Sequence, residues 1–159
     1  MERIQLLFST TRHPFSGLIR AATWSRWSHV ALVAGPHVIE AVALGGVRQV
    51  SKAYAIERAS DYCLVDLPAH NAQAIIDAAR SQLGKPYDWA GVAGLVTRGR
   101  DWQGEEDWFC SELIAWAIAQ GGVPLFREEL VGRITPQHLW MLANPYDRTA
   151  EPLGLLDLV

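Results

Sequence analysis

Cys110 lies at the start of an apolar helical pattern, a position that favours a reactive thiol. Cys110 precedes four apolar residues spaced three or four positions apart, which is the spacing of one helical face: Leu113, Ile114, Ala117 and Ile118. A thiol in the first turn of a helix faces backbone N–H groups and the positive end of the helix dipole, and both favour the nucleophilic thiolate. Cys110 is therefore a candidate nucleophile, although a small buried core residue explains the same pattern equally well.

The limits of this helix are also predicted from the sequence. Asp107 is of a residue type that caps helix N-termini, and Gly121, Gly122 and Pro124 are of types that end helices. We therefore expect the cysteine helix to run from about residue 108 to residue 120.

A cysteine nucleophile needs a base, usually histidine, and a group that orients the base. Of the five histidines, His29 differs from the rest because it begins an apolar strand pattern that continues to Ala34. A lone strand histidine is more often structural than catalytic, so its type alone does not decide its role.

The spacing of His29 and Glu40 favours a functional pair. If the turn Gly35-Pro36 closes a symmetric hairpin, Val33 faces Val38, and His29 and Glu40 then share one face of the sheet on a diagonal. Such diagonal neighbours lie about 7–8 Å apart, which long side chains can span. A carboxylate in an apolar run has either a partner or an open, solvated face. Paired with an imidazole N–H, it would hold one tautomer of the ring.

The order of the predicted elements indicates the fold class. Strand patterns come mostly first and helix patterns mostly later, which favours an α+β fold with an antiparallel sheet of about five strands packed against helices. We predict strands at 3–9, 28–34, 37–43, 47–51 and 62–67, the last of them ended by Pro68. We predict helices at 15–23, 71–83, 89–96, 108–120 and 135–142.

Composition narrows the classes of function. The 159 residues suit one domain, and a net charge of −3 without a basic run gives no sign of nucleic-acid binding. Two cysteines are too few for a disulfide framework and lack metal-ligand spacing, so neither a metal nor a cofactor is expected. The N-terminus lacks the pattern of a signal peptide and no apolar run is long enough to span a membrane, so we expect a cytoplasmic product. The oligomeric state is not indicated.

Three motifs resemble one known family. The stretch Gly84-Lys85-Pro86-Tyr87 and the later Phe109-Cys110-Ser111 resemble the catalytic segment of NlpC-type papain-like cysteine peptidases. The hairpin from Ser28 to Ala41 resembles the catalytic-histidine hairpin of that family, whose third polar residue lies near the position of Glu40. Histidine precedes cysteine here, as in the circularly permuted, YiiX-like branch. The resemblance therefore implies a papain-like fold with permuted topology.

The resemblance also implies a mechanism. Cys110 would attack a carbonyl carbon and form an acyl-enzyme, His29 would move the proton, and Glu40 would orient His29. Backbone N–H groups at the start of the cysteine helix would stabilise the oxyanion. Four further residues would line the site for substrate or oxyanion: Tyr87, Ser111, Trp108 and Asp88. Glu112 replaces a family glycine, and this departure weakens any transfer of the substrate.

Three functions stay open at this point. The first is hydrolysis of amide bonds in peptides such as peptidoglycan stem peptides. To reach a cell-wall substrate, the protein would need delivery by a phage particle, lysis or a secretion system. The second is an acyl-lipid hydrolase, thioesterase or acyltransferase, since relatives with the same residue order act on lipids and seven tryptophans would suit an acyl groove. The third is a binding module on the same fold without catalysis.

Overall fold

The strands form one five-stranded antiparallel sheet. The computed structural model describes residues 2–12, 20–21, 24–86 and 109–142. In spatial order the sheet runs β4-β3-β2-β1-β5. The strands are β1 (Glu2–Thr10), β2 (His29–Ala34), β3 (His37–Val42), β4 (Gly46–Ser51) and β5 (Asp61–Ala69). The fold is therefore α+β, as predicted.

The helices of the described segments follow β4 and β5. They are α1 (Lys52–Glu57), α2 (Ala72–Ser81), α3 (Cys110–Gln120) and α4 (Pro136–Met141), with a 3-10 helix at Glu128–Arg133. Asn71 caps α2 as predicted, because its side chain accepts a hydrogen bond from Ala74 N–H. Thr135 and His138 form a reciprocal capping box at the start of α4, where Pro136 occupies the first turn.

The core lies between the sheet and α3. Alternate residues of the central strands point to this side, and the helix supplies Leu113 and Ile114, both fully buried. The strand residues include Leu6, Phe8, Val30, Leu32 and Ile39. A smaller apolar cluster on the other face contains Leu7, Ala31 and Val38, with Ala55 and Ile56 of α1 packed against it. Burial on both faces explains why the inner strands are almost continuously apolar.

The β2–β3 hairpin has the predicted register. Val33 faces Val38, and the neighbouring pairs join Leu32 to Ile39 and Ala34 to His37. Gly35 has a φ of +63°, a conformation that suits glycine in a tight turn. The pairs extend as far as Leu32–Ile39, and continued alternation beyond them puts His29 and Glu40 on the same face of the sheet.

Several predicted element limits were wrong. Strand β5 continues through Pro68, which is tolerated because β5 is an edge strand and needs no N–H donor on its open side. Helix α1 was missed; it begins directly after β4, with Ser51 as its cap. The N-cap of α3 is Phe109 instead of Asp107. The predicted helix at 89–96 and almost all of that at 15–23 lie outside the described residues.

Candidate active site

Cys110 is the first residue of α3. Its neighbour Phe109 is the N-cap, with extended backbone angles (φ −84°, ψ 149°) and no side-chain cap. The first backbone hydrogen bond of the helix runs from Leu113 N–H to Phe109 O at 3.0 Å. The N–H groups of Cys110 and Ser111 therefore have no acceptor within the helix and are available for an anion.

His29 links α3 to the sheet. It is the first residue of β2, and its Nε2 lies 2.7 Å from Oε2 of Glu40. The thiol of Cys110 is close enough to the imidazole to act on its charge. Because Glu40 occupies Nε2, Nδ1 is the ring nitrogen left for a second partner. One ring thus contacts both the candidate nucleophile and a carboxylate.

The electrostatics of the three side chains are coupled. Burial alone would lower the pKa of His29, but hydrogen bonds to Cys110 and Glu40, together with the charges of both, raise it to about 10. Burial alone would raise the pKa of Glu40, but the hydrogen bonds and positive charges of His29 and Arg48 lower it to about 2. At neutral pH the geometry therefore holds an imidazolium next to a carboxylate.

Arg48 is a site residue that sequence reasoning missed. It lies directly opposite Glu40 on β4 and donates hydrogen bonds from Nε (3.0 Å) and Nη2 (2.8 Å) to Oε1 of Glu40. The signal was available, because a β3–β4 turn centred on Leu44 puts opposite charges at positions 40 and 48. Because two glycines follow Leu44, the sequence alone does not determine the centre of that turn.

The predicted lining residues have different outcomes. The hydroxyl of Ser111 donates to the carbonyl oxygen of Ile134, and the residue is fully buried. Its side chain therefore ties α3 to the segment before α4. Tyr87, Asp88 and Trp108 lie outside the described residues.

The segment that leads to Tyr87 is held against β4. Val47 N–H donates to Lys85 O, and Gly84 N–H donates to Val47 O, both at 2.8 Å. Gly46 has a φ of +60°, and a Cβ at this position would overlap the Lys85 carbonyl oxygen. A glycine is thus required where this loop approaches the sheet.

Other cysteine and histidine side chains have roles outside this cluster. Cys63 is partly buried in edge strand β5. Nδ1 of His138 accepts a hydrogen bond from Thr135 N–H at 3.0 Å and belongs to the cap of α4. Within the described ranges, no three His, Cys, Asp or Glu side chains lie together as a metal site would need. No helix in those ranges has the length and apolar character needed to cross a bilayer.

Comparisons with known proteins identify the fold and the family of the chain. The structure of the metalloprotein yiiX from Escherichia coli O157:H7 shares the fold, with a TM-score of 0.60 and 23% sequence identity over 79% of this chain and 69% of that one. No curated protein matches the chain. A family model described as "Permuted papain-like amidase enzyme, YaeF/YiiX, C92 family" matches residues 3–149. Because this match spans most of the sequence, the chain belongs to the permuted papain-like amidases and is a cysteine hydrolase.

Proposed function

We propose that this hydrolase cleaves amide bonds in peptides through a triad of Cys110, His29 and Glu40. The observation that carries the proposal is the single imidazole that contacts both the Cys110 thiol and the Glu40 carboxylate. This is the arrangement in which one group takes the proton of the nucleophile and another holds the ring in position.

Each step of the proposed reaction is assigned to a group of this site. In the resting couple His29 already holds the proton of the Cys110 thiol, and the Cys110 sulfur attacks the carbonyl carbon of the scissile amide. The resulting oxyanion receives hydrogen bonds from the N–H groups of Cys110 and Ser111. The imidazolium then gives its proton to the leaving nitrogen as the C–N bond breaks. Water, deprotonated by His29, hydrolyses the thioester and restores the thiol.

The proposed substrates are peptidoglycan stem peptides or peptides of similar length. The residues of the site are suited to acyl transfer, and membership of an amidase family indicates that the bond cleaved is an amide. Incubation with soluble stem peptides, followed by mass spectrometry, should reveal a new amine and a new carboxylate. The C110A variant should yield neither product.

A substrate carried by lipid is the second candidate, and one observation favours it. Trp24 is 90% exposed in the β1–β2 connection, and Leu44 is 98% exposed in the β3–β4 turn. Both lie at the end of the sheet where His29 begins β2, and exposed apolar side chains beside a site suit an apolar ligand. Cleavage of acylated lipids in vesicles, with stem peptides left intact, would favour this candidate over the first.

A substrate-independent measurement tests the chemistry itself. Iodoacetamide should alkylate Cys110 faster than Cys63 at pH 6, and H29A should slow Cys110 by about 10- to 100-fold because the thiolate loses its partner. H70A is the matched control, since His70 is exposed at the far end of β5. Equal rates for Cys110 and Cys63 would remove the basis of the proposal and leave a binding module without catalysis.

A further inference from the structure

Arg48 forms the outermost member of a continuous chain of polar contacts. Its guanidinium bonds Oε1 of Glu40 through two nitrogens, while Oε2 of the same carboxylate bonds His29. His29 in turn interacts electrostatically with Cys110. The chain therefore crosses three neighbouring strands and ends at the first residue of α3.

The burial of Glu40 makes a second partner necessary. The side chain of Glu40 is only 4% exposed, whereas that of Arg48 is 30% exposed. An ionised carboxylate that is removed from water is costly unless its oxygens are hydrogen-bonded and its charge is balanced. His29 satisfies one oxygen, and Arg48 satisfies the other.

The two carboxylate oxygens of Glu40 have different partners. Because both nitrogens of Arg48 bind the same oxygen, Oε1 is held on the β4 side and Oε2 is left to face His29. A guanidinium presents its donors in a rigid fork, so two of its nitrogens can bind this one oxygen.

We propose that Arg48 is a positioning residue that keeps Glu40 ionised and its Oε2 directed at His29, and so maintains the Cys110–His29 couple in acidic conditions. This inference rests on the proposed function and adds a fourth residue to it. Among the described residues, the charged groups that act on Glu40 are His29 from β2 and Arg48 from β4, and Cys110 acts on His29 from α3.

A purely structural role for Arg48 predicts something different. The β3–β4 ladder already runs from His37–Ser51 to Val42–Gly46 without help from this side chain. A structural brace would change thermal stability but leave the pH dependence of Cys110 alkylation unchanged. If Arg48 is a positioning residue, replacing it changes the lowest pH at which His29-dependent alkylation of Cys110 persists. We call this pH the acid edge.

The experiment measures the acid edge in the full chain by iodoacetamide alkylation. R48Q removes the charge but keeps an amide donor, and we expect it to raise the acid edge by about 1 pH unit or more, because Glu40 then protonates more easily. R48K keeps the charge and should retain the wild-type edge. R80Q is the control for net charge, since Arg80 pairs with Asp77 at 3.5 Å on the exposed side of α2; it should leave the edge unchanged.

The outcomes separate this inference from the proposed function. A reactive, His29-dependent Cys110 with the same edge in R48Q as in the wild type overturns the role of Arg48 alone. Equal shifts in R48Q and R48K also overturn it, because charge would then not be the cause. If R48Q does not fold, a raised edge in R48K decides against the inference, and an unchanged edge supports it. An unreactive wild-type Cys110 overturns both proposals.

Discussion

Glu40 Oε2 on β3 lies 2.7 Å from His29 Nε2 on β2, and the pair sits where the sheet meets the start of α3. The hairpin register brings the two residues together diagonally, and the burial of Glu40 strengthens their attraction by excluding water. This contact links the local geometry of a β-hairpin to the reactivity of a cysteine on another element.

Replacing Glu40 with glutamine should reduce catalysis while keeping the shape of the site. E40Q removes the negative charge that stabilises the imidazolium, so we expect kcat/KM toward a peptide substrate to fall by about 10²-fold or more. D66N is the matched control, because Asp66 of edge strand β5 pairs with Gln5 and Arg3 of β1. An E40Q enzyme as active as D66N would contradict the orienting role of Glu40.

The same ion pair should make stability depend on pH in a definite direction. Since the pKa of Glu40 falls from 4.5 to about 2 on folding, its contribution is complete above pH 4.5 and is lost as the pH falls toward 2. Since the pKa of His29 rises from 6.5 to about 10, its contribution is complete below pH 6.5 and is lost as the pH rises toward 10.

The thermal midpoint therefore gives a direct test of the pair. The difference in Tm between the wild type and H29N should be greatest between about pH 4.5 and 6.5 and should shrink on both sides of this window. H37N, at the start of β3, serves as the control for loss of a histidine. A difference that stays constant from pH 3 to pH 10 would mean that His29 carries no charge next to Glu40.

Ser111 allows stability to be separated from reactivity. Its buried hydroxyl binds the carbonyl oxygen of Ile134, so S111A should lower the free energy of unfolding by about 1–3 kcal/mol, because that oxygen loses its partner. The backbone N–H of residue 111 is unchanged, so the alkylation rate of Cys110 should stay within about twofold. S81A, which removes an exposed hydroxyl at the end of α2, is the control. A large loss of reactivity in folded S111A would show that the hydroxyl faces the reaction after all.

The sequence predicted the contacts that depend on a single short turn, and it did not predict those that depend on a longer turn or on backbone geometry. The two-residue turn at Gly35-Pro36 fixed the register of β2 and β3, and with it the relation of His29 to Glu40. The partner at Arg48 depended on a three-residue turn whose centre the sequence did not determine. The start of α3 was displaced because the predicted cap rested on residue type, whereas the backbone turns into the helix at Phe109.

Contacts between distant segments were beyond sequence patterns. The hydrogen bonds between Val47 and the Gly84-Lys85 loop join residues almost forty positions apart, and no periodicity indicates them. Ser111 was predicted to line the site, and on a helix its side chain points about 100° away from that of Cys110. Its contact with Ile134 follows from that rotation.

Two glycines with nearly equal φ provide the last test, because only one of them faces another segment. Gly46 (φ +60°) adjoins the Lys85 carbonyl, whereas Gly35 (φ +63°) has open space around its α-carbon. G35A should cost about 1–2 kcal/mol for the left-handed conformation alone. G46A should cost at least about 1 kcal/mol more, because the loop must move and its hydrogen bonds with Val47 weaken.

Activity should separate the two glycine variants further. Lys85 and Pro86 lead directly toward Tyr87, so displacement of this loop in G46A should lower kcat/KM by about tenfold or more. G35A, at the opposite end of the hairpin from His29, should keep wild-type activity. Urea unfolding and initial rates on the same preparations give both quantities. If the two variants lose equal stability and keep equal activity, the approach of the loop to Gly46 has no part in forming the site.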